Sequence, residues 1–455
     1  MTLVTDERSI RRHEVVVAPG PRFLKPGWPL VMLYAPFPLW WALGLAQLIF
    51  FMAAAAMAVI LYRQRTLVVP RGFAIWLLFL VWMLAGVFVV RAIAPGTVPG
   101  VGIGRYGGFL VWAGWYFAIT VAMLYVVNTA RQVPTQRIVR LLGWMFVVTT
   151  GFGVLAVLVP TLEFKSAMEL VMPKGLTASN YVRTLVHPSL SSTSDFLGYV
   201  QARPTAPFPY SNAWGNNLAM YLPFFVLAWF GRDAGWRRTV APFVLAAAMV
   251  PITFSLNRGL WGGLALAAAY AAVRLALNGR TRALQALVAA LVVGGLVFVS
   301  SPLYDTLQLR VETPHSNDRR AGTATTVVST ALDGSPVVGF GMTRKMEGSF
   351  SSLAGGETEE CHQCAAPPLG TQGFMWRLVL TTGLGGTLLC LSFLGVQFLR
   401  RSRGAVPIHV AGCTVLLVSV LCSFVYDSLG SAMFTVFIAI GLMARSDLLT
   451  PEEER

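Results

Sequence analysis

Charge is what this sequence has least of. Asp, Glu, Lys and Arg together make up 12% of 455 residues, against about 25% in an ordinary soluble chain. With 55% hydrophobic residues and a mean hydropathy of +0.64, that shortage excludes a soluble globular protein. Cysteine is also sparse, at five residues. Cys390, Cys413 and Cys422 lie in apolar runs and read as core packing. Cys361 and Cys364 flank His362 and Gln363 in a hydrophilic stretch. Outside the cytoplasm they suit a local disulfide; a zinc site would lack an evident fourth ligand, so no metal and no cofactor is expected. There is no internal repeat, no low-complexity segment and no Gly-rich phosphate loop. The short basic connections leave no room for a cytoplasmic nucleotide-binding domain. Those absences argue against an ATP-driven pump and against a transferase fed by nucleotide sugars. The net charge of +15 is dispersed in short clusters between apolar runs, as the positive-inside rule produces, so nucleic acid is not an expected partner.

What is there is a series of apolar runs of bilayer-spanning length. Spans are expected near 28–43, 45–62, 72–90, 108–127, 140–159, 214–230, 239–254, 259–277, 284–300, 373–397, 405–424 and 428–444. The expected fold is therefore an all-α polytopic membrane protein with about twelve transmembrane helices. Pro36 and Pro38 divide the first apolar block into two helices. Residues 1–27 read as a cytoplasmic tail rather than a cleavable signal, 28–444 as one transmembrane domain, and 445–455 as a second cytoplasmic tail. Every second connection is short and basic: Arg63/Arg65/Arg71, Arg131/Arg137/Arg140, Arg232/Arg237/Arg238, Arg280/Arg282 and Arg400/Arg401/Arg403. This places both termini inside, and the two long segments 160–213 and 301–372 outside.

One outer connection is very short. Ser255-Leu256-Asn257-Arg258 separates two apolar helices and sets a fixed cation at the end of a membrane span. Such an arginine suits function; the alternative is an arginine that snorkels to the headgroups and only anchors its helix. The second long loop adds Arg310, Glu312, His315, Asn317, Asp318, Arg319 and Arg320, then the Pro/Gly turn Pro336-Val337-Val338-Gly339-Phe340-Gly341. It ends in Thr371-Gln372-Gly373-Phe374-Met375-Trp376-Arg377, which leads into a helix. Facing arginines without a metal-ligand cluster suit a diphosphate, because guanidinium forks match phosphate oxygens and keep their charge. In a glycosyl transfer the diphosphate leaves, and cations already in place stabilise the charge that builds on it.

Each candidate has a plainer reading. Arg319 and Arg320 also fit a solvated pair on a loop helix, and His315 and His362 fit surface residues without partners. The Gly339/Gly341 turn also fits a purely shaping role. Asn212, Asn216 and Asn217 either line a polar cavity or cap the helix they begin. Asp427 fits a cap of the last span.

In combination these pieces resemble the O-antigen ligase and O-antigen polymerase superfamily. The matching parts are Ser255-Leu256-Asn257-Arg258-Gly259, Arg320 (or Arg319) about sixteen residues before Pro336-Val337-Val338-Gly339-Phe340-Gly341, and Thr382-Gly383-Leu384-Gly385-Gly386. The similarity is strongest over about residues 205–390. Composition rich in Ala, Val and Arg resembles that of high-GC bacteria such as actinobacteria. The resemblance implies a metal-independent, inverting glycosyltransferase with its active site on the extracytoplasmic face of the plasma membrane. Its expected partners are a polyprenyl-diphosphate-linked glycan donor, a lipid or glycan acceptor, and membrane lipids. A solute transporter fits the span count, but transporters place polar residues mid-membrane, where this chain has almost none. By carry-over, Arg258 and Arg320 are the catalytic diphosphate ligands, with Arg319, Thr371, Gln372, Arg377, His315 and His362 as further substrate-binding candidates. One departure matters. The family often carries a His-Asn where this chain reads Thr371-Gln372, so either His315 or His362 takes that role or this chain works without histidine.

Overall fold

The computed structural model describes residues 2–4, 25–99, 104–194, 201–300, 304, 315–347 and 367–448, with the backbone alone at 2–4, 194 and 315–320. Helices dominate. They are α1 Trp28–Tyr34, α2 Phe37–Ala42, α3 Leu48–Tyr62, α4 Phe73–Ala85 with a 3-10 turn Gly86–Val89, α5 Gly104–Asn128 and α6 Thr135–Leu158. Three short helices follow: α7 Ala167–Val171, α8 Lys174–Thr177 and α9 Asn180–Val186. Then come α10 Ser211–Phe230, α11 Arg237–Phe254, α12 Arg258–Leu277, α13 Thr281–Val299, α14 His315–Gly334, α15 Phe374–Arg401, α16 Pro407–Ser423 and α17 Ser431–Ser446. Sheet is minimal: β1 Thr2–Val4 pairs in parallel with β2 Thr66–Val68, and β3 Ser191–Ser194 forms a hairpin with β4 Gln201–Pro204.

Among the described residues, six helices are long and apolar enough to cross a membrane: α5, α6, α11, α12, α13 and α15. Four shorter apolar helices, α3, α4 with its 3-10 turn, α16 and α17, accompany them. This is an all-α architecture of the membrane type. The expected helix near 28–43 needs correction: the chain forms two short helices split at Ala35-Pro36. Proline lacks the N–H and clashes with the preceding turn, and Pro36 and Pro38 together stop the helix from running through.

The core is aromatic and lies where α4, α5, α15 and α17 meet. The Trp76 ring packs against Phe79, Phe393 and Phe437 at centroid distances of 4.8, 5.3 and 4.7 Å. Its indole N–H donates to Thr120 Oγ1 at 2.8 Å, and that hydroxyl donates to Tyr116 O, so burial leaves no polar atom of the pair stranded. Cys390, Cys413 and Cys422 are buried free thiols in this packing, as expected. By contrast α13 has no buried residue and packs against α12.

One end of the bundle is tied shut. Arg401 donates to Gln397 Oε1 and Asp447 Oδ2, His409 bonds Ser446 Oγ, and Arg445 donates to Ala130 O and Val133 O. The opposite end gathers most of the residues singled out above.

Candidate functional site

The site is organised by the turn 424–430, which joins α16 to α17. Three helix starts converge on it. Phe374 at the start of α15 donates its N–H to Tyr426 O at 2.8 Å, and Trp376 Nε1 donates to Phe424 O. Leu260, in the first turn of α12, donates its N–H to the Tyr426 hydroxyl at 3.0 Å. A Cβ at Gly259 would stand 2.7 Å from that same hydroxyl, so the Arg258-Gly259 pair packs where only a glycine fits. In α10, Asn216 Nδ2 donates to Ser428 Oγ and Asn217 Nδ2 donates to Ser431 Oγ, both at 2.9 Å. This corrects the capping alternative for these residues. The N-cap of α10 is Tyr210 with no side-chain cap, and the asparagines instead brace the turn across the bundle.

The short connection before α12 is held by an arginine from the other long loop. Arg203, on β4, donates through Nε to Ser255 O and through Nη2 to Asn257 Oδ1, each at 2.6 Å. Asn257 Nδ2 in turn donates to Ser211 O. Between the two gripped residues Leu256 adopts φ +53°, a conformation costly for a branched side chain. Surrounding bonds must over-determine such a residue, and Arg203 supplies two of them. Arg258 follows at once, as the first residue of α12 and half-buried.

Arg377 and Asp427 form the charged centre. Arg377, in the first turn of α15, is buried; its guanidinium pairs with Asp427 and lies 4.2 Å from the Trp112 ring centroid. Asp427 has protein packed densely around it, yet 29% of its side-chain surface stays accessible. Enclosure pushes its carboxyl above the ordinary range, against the opposing pull of Arg377. Asp427 is therefore the partner of Arg377, and the N-cap of the last helix is Gly430. Two exposed aromatics stand near the pair: the Tyr181 hydroxyl feels both charges, and the Tyr210 hydroxyl is pushed up to about 12 by burial and then by Tyr181 and Asp427.

The glycine motifs meet each other. Phe340 and Gly341 donate their N–H groups to Leu380 O and Thr381 O, and Leu384 and Gly385 donate to Pro336 O and Val337 O. Gly383 has φ +64° and breaks α15 there; Gly339 and Gly341 also have positive φ. Trp82 Nε1 takes up Thr382 O at 2.9 Å. Unwinding the helix frees carbonyls and amides, and the turn from the second loop satisfies them. Of the two readings of Gly339/Gly341, the structure shows the shaping role: α14 is docked on α15 through them. Arg344 reinforces this dock by donating to the carbonyls of Phe340, Met342, Thr343, Val90 and Ala92.

Arg258 and Arg377 thus lie on two sides of one turn. Thr371 is half-buried and spends its hydroxyl on Pro368 O at 2.7 Å; Gln372 beside it is half-buried. His315, Arg319 and Arg320 fall in the first turns of α14, with side chains outside the described residues. His362, Cys361 and Cys364 lie outside the described residues altogether. Sequence reasoning missed Arg203, Trp112, Tyr181 and Tyr210, and assigned Asp427 too small a part. It also missed His187, whose Nδ1 lies 2.8 Å from Glu169 Oε2 and whose Nε2 lies 3.7 Å from Glu163. Arginines at the end away from the basic loops are a signal that points to Arg203. For the aromatics no local signal exists. Among the described residues no cluster of His, Cys, Asp and Glu could hold a metal ion. No family model matches the chain, and no curated protein matches it.

Proposed function

We propose that the chain crosses the plasma membrane about twelve times with both termini inside, and transfers a glycan from a polyprenyl diphosphate to a lipid or glycan acceptor outside. The observation that carries this reading is the convergence of Arg258 and Arg377 on the turn that holds Asp427. By the charge rule, this end is the outer one. Cations collected there run against the usual bias, which a structural anchor alone does not require. Among the described residues, the charged side chains of the long helices sit in their first or last two turns, which favours an outer site over the mid-membrane site of a transporter.

In this reading Arg258 binds the diphosphate, with Arg320 as the second ligand by the resemblance, and Arg203 positions Arg258 by gripping Ser255 and Asn257. The acceptor hydroxyl attacks the anomeric carbon, the bond from that carbon to the diphosphate oxygen breaks, and the hydroxyl proton passes to Asp427. A carboxylate raised by enclosure is a stronger base than a solvated one. Arg377 holds it in place, and Tyr181 and Tyr210 offer ring faces for sugar. No histidine is needed for this sequence of events, in keeping with Thr371-Gln372 at the expected position.

The test uses membranes carrying the parent chain, Arg258→Ala, Arg320→Ala or Asp427→Asn at equal abundance, supplied with a polyprenyl-diphosphate-linked glycan. Loss of about a hundredfold or more of transfer in Arg258→Ala and Asp427→Asn, with the lipid-linked precursor accumulating, is the expected result. Parent-like transfer in both reduces Arg258 to a helix anchor and removes the reading.

A further inference from the structure

A groove of about 580 Å³ runs between α4 and α5, lined by Leu84, Val87, Phe88, Phe109 and Leu110 with Tyr106 at one end. It lies beside the 3-10 turn Gly86–Val89 that follows α4. Phe88 and Leu110 are 88% and 69% exposed, and the lining is almost wholly apolar. Its size matches small-molecule sites, and a concave wall distinguishes it from the convex, lipid-facing surface of α13. Two features say what fills it. First, its end carries cations: Arg91 stacks 5.3 Å over the Tyr106 ring, and Arg105 donates to Val90 O and Val98 O. Lys345 and Glu347 lie on the same rim, through the backbone bonds Val98 N to Lys345 O and Glu347 N to Gly96 O. Second, its floor leads to the site. Phe109 lies one turn from Trp112, which carries the Arg377 guanidinium, and Gly86 abuts Gly341 and Thr381 at the motif junction.

We propose that this groove receives the isoprenoid chain of a polyprenyl diphosphate, whose anionic head passes Arg91 and Arg105 on its way to Arg258. The inference rests on the reading of that site as a diphosphate site. It adds where the hydrocarbon chain lies and which cations meet the head first. A single apolar groove fits a stretch of one branched chain, and guanidinium groups at its end fit phosphate rather than a neutral headgroup.

The test is binding of glycan-free undecaprenyl diphosphate to the full chain in phosphatidylcholine nanodiscs, read by native mass spectrometry. Leu110→Trp and Leu84→Trp fill the groove from exposed positions, so folding is spared; Leu291→Trp, on the exposed surface of α13, is the control. The expected result is about tenfold weaker binding in either filling variant, about fivefold weaker binding in Arg91→Ala, no change in Leu291→Trp, and no displacement by phosphatidylglycerol. Parent-like binding in both filling variants, or equal displacement by phosphatidylglycerol, overturns it, the latter marking an ordinary annular lipid site. The two readings fail separately. A parent chain that binds the probe in the groove but transfers no glycan refutes the transferase reading alone. Intact transfer with unchanged binding in the filling variants refutes the groove alone.

Discussion

Arg377 and Asp427 depend on each other because neither is well solvated. Removing one leaves the other enclosed without its counter-charge, which costs about 3–5 kcal/mol for a fully buried pair. With 29% of the Asp427 side chain accessible, about 2–3 kcal/mol is expected for Asp427→Ala, read as a lowered Tm in detergent. Asp427 also sets a pH dependence. Its native carboxyl holds a proton more tightly than the unfolded chain does, because enclosure outweighs Arg377. Its contribution to stability is therefore full below the ordinary value near 3.8 and is lost as pH rises through the raised native value. Asp427→Asn should remove that slope from a plot of Tm against pH; an unchanged slope would assign it to another group. Arg203 belongs to the same scale. Its two bonds to Ser255 and Asn257 are charge-assisted, so Arg203→Ala should cost about 2–4 kcal/mol. Through Arg258 it should also lower transfer, with Arg203→Lys restoring little because lysine cannot fork.

At the scale of elements, the dock between the Pro336–Gly341 turn and the broken stretch of α15 fixes α14 to the bundle. A Cβ at Gly383 would collide with the Val337 carbonyl oxygen, and one at Gly339 would come within 2.5 Å of Gly383 N. The positive φ at either position adds about 1–2 kcal/mol for any L side chain. Gly339→Ala and Gly383→Ala should each lower the Tm markedly. Because both open the same seam, their double mutant should fall short of the sum by about 1 kcal/mol or more. Additive effects would mean that the two glycines serve separate contacts. Trp82→Phe should cost about 1–2 kcal/mol by leaving Thr382 O without its donor.

For the molecule as a whole, the separation of its two ends makes orientation testable. One end is closed by Arg401, Asp447 and His409; the other holds the arginines around turn 424–430. Gly175, on α8, has open space around it, and Arg403 is exposed at the closed end. In a background lacking native cysteines, Gly175→Cys should react with a membrane-impermeant maleimide on intact cells, and Arg403→Cys only after permeabilisation. The reverse pattern would invert the topology and with it the side of the site.

Sequence alone determined the membrane class, the position of nearly every long helix, and the place of the short Arg258 connection between two of them. Each of these is a local property: run length, charge spacing, and the few residues that interrupt a run. It did not determine how Pro36 divides the first expected helix, 28–43, into two short ones, since a proline tolerates a kink as well as a break. Nor did it reveal that the two glycine motifs are halves of one contact, about forty-five residues apart, because a broken helix satisfied from another loop has no local signature. Asp427 looked like a cap, and Arg377 like a substrate-binding candidate with no partner named. Only folding brings α15 beside the turn 424–430, and then the low polarity around the pair gives the charges their meaning. Burial decides what an ionisable group does, and burial is set by segments far apart in the chain.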